Sequence, residues 1–327
     1  MTRTFTLLAI GALTAGLLAV LGTASVAVPA DAASSIRVAR ATTIFRGGLY
    51  VQPDSVAALA VDGLSGREKR AARYIARRSV AIWLGEWATG ASLKAYLRRN
   101  LADADEQQRT AVFVAYALPN RDCGGHSAGG LSPAGYASWT RTIAKTLAGR
   151  RAVVLVEPDS LSQLNVCPPG TAEQRLPLLK RAVALYAKAK VPAYLDGGIS
   201  GHEALDAAAA NLRVAGVASA RGFFTNVANY RPTADERGWA EALSRATGNS
   251  HYVVDVSRNG RGYSGEWCNA PGAGLGADPR VVRSTPRLDA LLWVKPPGAS
   301  DGECNGGPAA GQWFPAYAAA LVANRAR

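Results

Sequence analysis

Four cysteines are all that this chain of 327 residues carries, and no two of them stand at C-x-x-C spacing. That absence argues against a zinc site and against a dithiol redox centre, and neither a metal nor a cofactor is expected. The first of them is Cys123, too far along the chain to be the lipidated cysteine of a lipoprotein. Acidic residues are scarce beside basic ones, 24 against 37, which leaves a formal net charge of +13. Such a balance suits nucleic acid or an anionic surface. Yet the basic residues are spread over helix faces (Arg67, Lys69, Arg70, Arg73, Arg77, Arg78) rather than interleaved with exposed aromatics. The charge therefore reads as a solvated surface, and no nucleic-acid partner is expected. Beyond residues 5–21 no apolar run is long enough to cross a bilayer, and no repeat or low-complexity tract interrupts the chain.

The chain begins with a basic start at Arg3, the apolar run 5–21, and Ala30-Asp31-Ala32 as a small-x-small cleavage site. Residues 1–32 thus read as a secretory signal peptide. An uncleaved anchor fits less well, because the run is short and no basic stop-transfer cluster follows. The expected product is secreted, extracellular, monomeric and off the membrane once the signal is removed. Four cysteines in an exported protein imply two disulfides among Cys123, Cys167, Cys268 and Cys304. Three pairings are possible, and spacing favours Cys123 with Cys167 and Cys268 with Cys304. Residues 33–53 read as a linker and 54–327 as one catalytic domain. A hydrophobic content of 48% is enough to give that domain a substantial core.

From residue 54 the apolar pattern alternates. Strands are expected over 80–84, 111–116, 153–156, 191–195, 222–227, 251–256 and 288–294. Helices are expected over 67–78, 91–108, 132–147, 171–190, 203–210, 235–246 and 313–324. Ser132-Pro133 is a helix start, with serine as cap and proline in the first turn. Such alternation means parallel strands with helical crossovers, which a barrel and a doubly wound sheet both satisfy. Asp122, Asp159, Asp196, Asn229, Arg258 and Asp301 all follow a strand and none directly precedes one. That one-sidedness is barrel behaviour. The expected fold is α/β, a single-domain, incomplete parallel β/α barrel with its cleft at the C-terminal strand ends.

One stretch organises the rest. Val153 to Val156 reads as a strand buried on both faces, and it runs straight into Glu157-Pro158-Asp159. Proline ends the strand and leaves two carboxylates where it surfaces. Acids beside a core are costly unless paired or used. A plainer reading makes Asp159 a cap for the amides of Leu161 or Ser162.

Six segments in order then decide between these. They are Arg121-Asp122-Cys123, the run Glu157 to Leu161, Tyr194-Leu195-Asp196, Thr225 to Tyr230, Glu266 to Asn269, and Trp293 to Gly302. Together they resemble glycoside hydrolase family 6, the inverting cellulases, over nearly all of the chain after the signal. The resemblance implies an endo-β-1,4-glucanase that cleaves a β-glucan polysaccharide or oligosaccharide with two carboxylates. It implies Asp159 as the general acid, with Asp122 beside it to keep it protonated. It implies Asp301 as the base, acting directly or through a water chain, and Tyr116 beneath the scissile sugar. Trp83 and Trp267 match sugar platforms, Lys295 and Asn229 match hydroxyl-binding residues, and Asp196 serves the centre either in chemistry or as a structural partner.

The chain also departs from the family's pattern. Ile199, His202 and Leu205 stand where a histidine and two tryptophan platforms are usual, and Ala299 stands where an acid is usual. Leaving-side binding, and with it the preferred glucan, is therefore altered, and a glucan-binding protein with little catalysis is an alternative. Gly125-His126-Ser127-Ala128-Gly129 fits the G-x-S-x-G elbow of a serine esterase, but no strand directly precedes it and no helix directly follows. Only residues 295–312 separate the last strand from the closing helix, too little to roof several sugars, so an open cleft and internal cleavage are expected. With no second domain read, soluble or amorphous glucan is the expected substrate.

Overall fold

A computed structural model describes residues 34–37 and 39–326. The expected signal peptide, with its apolar run, lies outside the described residues. Among those described, no helix is long and apolar enough to cross a membrane.

The strands are β1 (Ile82–Leu84), β2 (Ala111–Ala115), β3 (Ala152–Val156), β4 (Ala193–Asp196), β5 (Gly222–Thr225), β6 (His251–Asp255), β7 (Arg280–Val281) and β8 (Leu288–Leu292). They form one sheet in the order β1-β2-β3-β4-β5-β6-β8-β7. Every pair is parallel except β7 with β8. The sheet curls so that the Ala81 amide donates to the Trp293 carbonyl at 2.9 Å, and the Trp83 indole donates to the Val294 carbonyl at 2.8 Å. No ladder joins β1 to β8 among the described residues, because β7 takes that edge of β8. The result is the incomplete barrel expected, with one short antiparallel strand that the sequence pattern did not reveal.

Both faces of each central strand are buried, for two different reasons. On β3, Val153 and Leu155 point into the barrel, where Val112, Val114, Tyr194, Phe224 and Val253 meet them. Val154 and Val156 point outward to the layer beneath the helices. All five β3 residues are buried, each large side chain contributing about 1.5–3 kcal/mol.

The crossover helices fall within a few residues of expectation: Gly66–Ala76, Gly90–Glu106, Pro133–Leu147, Thr171–Lys188, Leu205–Val214, Thr233–Ala246 and Pro315–Ala323. Ser132 caps its helix by accepting from the Gly135 amide. Two short helices, Ala41–Ile44 and Val56–Ala60, were not foreseen. Residues 33–53, read as a linker, place Ile44, Phe45 and Leu49 in the core beneath the barrel. Inside that lower end Arg221 forks onto Asp289 with two bonds of 2.8 Å, and Tyr194 donates to the same carboxylate at 2.6 Å. The disulfides pair Cys123 with Cys167 and Cys268 with Cys304, closing separations of 44 and 36. Each is worth about 3–4 kcal/mol by loop entropy. Both lie at the upper end, in the loops that carry Asp122 and Asp301.

Candidate active site

The C-terminal strand ends carry a set of carboxylates, and hydrogen bonding divides them by role. Glu157, just past β3, accepts the amides of Ala117 and Leu118 at 3.0–3.1 Å. Asp196, ending β4, accepts from Leu161 N, Ser162 N and Ser162 Oγ at 2.8–3.0 Å, and from Gly198 N at 3.0 Å. Asp255, ending β6, accepts from Ala228, Ser257, Val294 and Lys295 amides at 2.8–3.2 Å. Each of the three satisfies the freed backbone where a neighbouring strand frays into its loop. All three are buried, and burial pushes Glu157 up to about 7 and Asp255 upward.

Asp159 is the exception. It is half-buried and its carboxyl accepts no hydrogen bond from the described residues. Burial first, then the charges of Asp196 and Asp122, push its pKa up to about 8, against the opposing pull of Lys295 and Arg175. The cap on Leu161 and Ser162 that a plain reading assigns to Asp159 is made by Asp196. With that duty taken by Asp196, Asp159 has no hydrogen-bond donor among the described residues, and burial beside two carboxylates favours its protonated form. Its backbone sits at φ +68°, and Glu157 at +55°, a left-handed turn that non-glycine residues adopt at a cost.

Asp122 stands across from it on the loop after β2, also with positive φ. One oxygen accepts the amide and hydroxyl of Ser127 at 2.9 and 2.8 Å, and the other accepts Gln163 Nε2 at 3.1 Å. With its proton given to Asp122, Ser127 accepts from the Tyr116 hydroxyl at 2.9 Å. A Cβ on Gly125 would come within 2.5 Å of the Asp122 carboxylate, so the loop closes this tightly only with glycine there. The loop is pinned by Arg121, which forks onto Glu86 at 2.5 and 3.0 Å and also donates to the Tyr116 and Ser127 carbonyls. Glu86 and the pinning role of Arg121 escaped the sequence reading, since their partners are 35 positions apart.

Asp301 is bound on both oxygens. Arg258 takes Oδ2 at 2.7 Å with the Asn269 amide at 2.9 Å, and Lys295 Nζ takes Oδ1 at 2.9 Å. The two cations and the amide outweigh burial and hold its carboxyl down to about 2. It is ionised throughout and only weakly basic. Arg258 itself is fully buried, with its guanidinium over the Tyr230 ring.

Trp83 meets Tyr116 edge to face, with centroids 4.9 Å apart, at the inner wall. Trp267 is 50% exposed and its ring lies 5.8 Å from that of His126. Asn229 is half-buried on the loop after β5 and donates to the Val227 carbonyl. His126 also rests on Gly302, where a Cβ would sit 2.7 Å from the imidazole. The loops after β2 and β8 therefore touch across the site. Among the departures, Leu205 packs partly into the core, His202 is exposed and Ala299 is buried. Trp87, 63% exposed beyond β1, was passed over in the sequence. Ser127 sits in the loop between β2 and the helix Pro133–Leu147, flanked by neither, with Asp122 and Tyr116 as its hydroxyl partners. That is not an esterase elbow. No group of three or more potential metal ligands is found among the described residues.

Endoglucanase A of Cellulomonas fimi is 39% identical over 277 residues, covering 85% of this chain, which spans only 61% of that protein. A cellobiohydrolase C of Emericella nidulans is 31% identical, covering 84% of this chain and 76% of its own length. The structure of the endoglucanase Cel6 from Mycobacterium tuberculosis, in complex with a methyl-cellobiosyl-thio-cellobioside, superposes with a TM-score of 0.79 at 35% identity. It covers 84% of this chain and 96% of that one. The profile of glycosyl hydrolases family 6 matches residues 46–325, and the chain belongs to that family.

Proposed function

We propose that this protein is a secreted hydrolase of cellulose-type β-1,4-glucan that works by inversion and attacks chains internally. The observation that carries this is Asp159, a carboxyl that no hydrogen bond reaches among the described residues, pushed up to about 8 by burial beside Asp196 and Asp122. As acid it protonates the leaving oxygen while water attacks the opposite face of the sugar. Asp301, ion-paired and weakly basic, supports that water by its charge through intervening water rather than as a strong base. Trp83 and Trp267 offer apolar rings to the flat faces of glucose units, Asn229 a polar edge, and Tyr116 crowds the scissile ring. Relatives bearing cellulase names, among them the complex with a cellobiosyl ligand, favour this substrate class. Secretion is supported by the leader-like residues 1–32 and by the two disulfides.

Relatives of both endo and exo type are known, so the mode of attack rests on this chain's own loops. Among the described residues no backbone hydrogen bond links the loops after β2 and β8. Their meeting at His126 and Gly302 is one of side chain against glycine, which a substrate chain can displace. NMR of the products decides the stereochemistry. A first-formed α-anomer is expected from a soluble β-1,4-glucan, and a first-formed β-anomer overturns inversion. The replacements at Ile199, His202, Leu205 and Ala299 favour a second reading, a glucan binder with little turnover. Absence of reducing-sugar release with retained glucan binding would establish it instead.

A further inference from the structure

At the end of the barrel remote from Asp159 lies a cavity of about 740 Å³. Its walls come from the residues before β1 (Arg77, Arg78), before β2 (Arg109), and from β7 and its continuation (Arg280, Arg283). An adjoining recess shares Arg77 and Arg78 and adds Arg70, Arg73 and Tyr74. The excess charge that the sequence presents as a solvated surface is thus partly gathered around one hollow. One carboxylate lies among these arginines, Asp278, and Arg78 takes it at 2.7 Å. Arg109 and Arg280 each give one N–H to a carbonyl, and Arg77 and Arg283 have no ion pair among the described residues.

We propose that this cavity binds an acidic polysaccharide, a sugar chain bearing carboxylate or sulfate groups. Guanidinium groups crowded around a hollow repel one another, and a bound polyanion relieves that repulsion. Their planar forks match oxyanions two N–H groups at a time. The volume lies within the roughly 300–1,000 Å³ of sites for organic ligands, more than a single inorganic anion fills. Among the described residues none of the exposed large apolar side chains lines it, Phe45 in its wall is buried, and the Tyr74 ring of the recess is covered by the Arg78 guanidinium 3.4 Å from its centroid, so it offers neither bases an open stacking platform nor a bilayer an insertion surface. A neutral glucan would likewise find no open ring face to lie on. The site faces away from the cleft, so one molecule can hold an acidic polysaccharide while its active site works on a neutral one.

Calorimetry with the full chain tests this, using polygalacturonate, dextran sulfate, duplex DNA and anionic phospholipid vesicles as titrants. Binding is expected to one or both acidic polysaccharides, and their relative strengths show which oxyanion is preferred. The combined variant Arg77→Gln, Arg280→Gln, Arg283→Gln should weaken it about tenfold or more. A control that removes the same charge elsewhere (Arg141→Gln, Lys145→Gln, Arg245→Gln) should bind like the wild type. Both variants should keep the wild-type Tm and hydrolysis of a neutral soluble glucan, which separates failure here from failure of the cleft reading. Undiminished binding by the first variant, an equal loss in the control, or DNA or vesicles bound as tightly as the polysaccharides would overturn the proposal.

Discussion

The Asp196 carboxylate accepts both the amide and the hydroxyl of Ser162, at 2.9 and 2.8 Å. With Leu161 at 3.0 Å, this clamps the turn that carries Asp159 and spares Asp159 the same duty. The two acids should therefore respond oppositely to amide replacement. Asp196→Asn leaves buried amides short of an acceptor and should cost about 1–3 kcal/mol. Asp159 is easier to protonate in the fold than its ordinary 3.8, so ionising it costs stability as pH rises from about 4 to about 8. Asp159→Asn removes that cost. Its Tm should match the wild type at low pH and exceed it near pH 8; a lower Tm at pH 8 would show that the carboxylate has a stabilising partner.

Loss of the acid should depend on the leaving group. Asp159→Ala is expected to lose about 10²–10⁴-fold on cello-oligosaccharides, whose departing oxygen needs a proton. Aryl cellobiosides with acidic phenols should suffer much less. Equal losses on both substrates, measured as kcat/KM, would place Asp159 outside proton transfer.

The alkaline limb of the pH–rate profile should follow Asp159, near pH 8 in the wild type. A neighbouring negative charge disfavours ionisation, so removing Asp122 makes Asp159 ionise earlier. Asp122→Asn should move the limb to lower pH. An unmoved limb would mean that Asp122 matters only through its bonds to Ser127 and Gln163.

Asp301 and Arg258 form a buried pair at 2.7 Å. Asp301→Asn strands the Arg258 guanidinium and the Lys295 ammonium together and should cost about 3–5 kcal/mol. Because Asp301 is held to about 2, below its ordinary 3.8, its contribution is complete above about pH 4 and is lost as pH falls through 2. Urea unfolding at pH 7 and pH 3 reads both effects; equal stability of wild type and Asp301→Asn at pH 7 would refute the pairing energy.

Internal attack should appear as a steep early fall in the viscosity of a soluble neutral β-glucan against reducing ends released. His126→Ala, which removes the ring resting on Gly302, should steepen it further on polymer and leave short oligosaccharides unchanged. A slow fall with cellobiose as sole early product would show that the two loops enclose the chain.

Strand and helix positions were legible in the sequence because both faces of β2, β3 and β6 are apolar, and the acids follow strands rather than precede them. The same one-sidedness pointed to a barrel and to Asp159, Asp122 and Asp301. What the sequence could not assign was the division of labour among carboxylates. Glu157, Asp196 and Asp255 look like Asp159 in composition and placement, and they differ only in whether a neighbouring strand's amides reach them. Those amides lie 27 to 40 positions away in chain order, so only the curled parallel sheet brings them within 3 Å or so. The two residues of β7 carry no pattern of their own and became a strand because β8 had a free edge. Likewise the arginines at positions 77, 109 and 283 are ordinary surface residues along the chain, and tertiary packing alone sets them around one hollow.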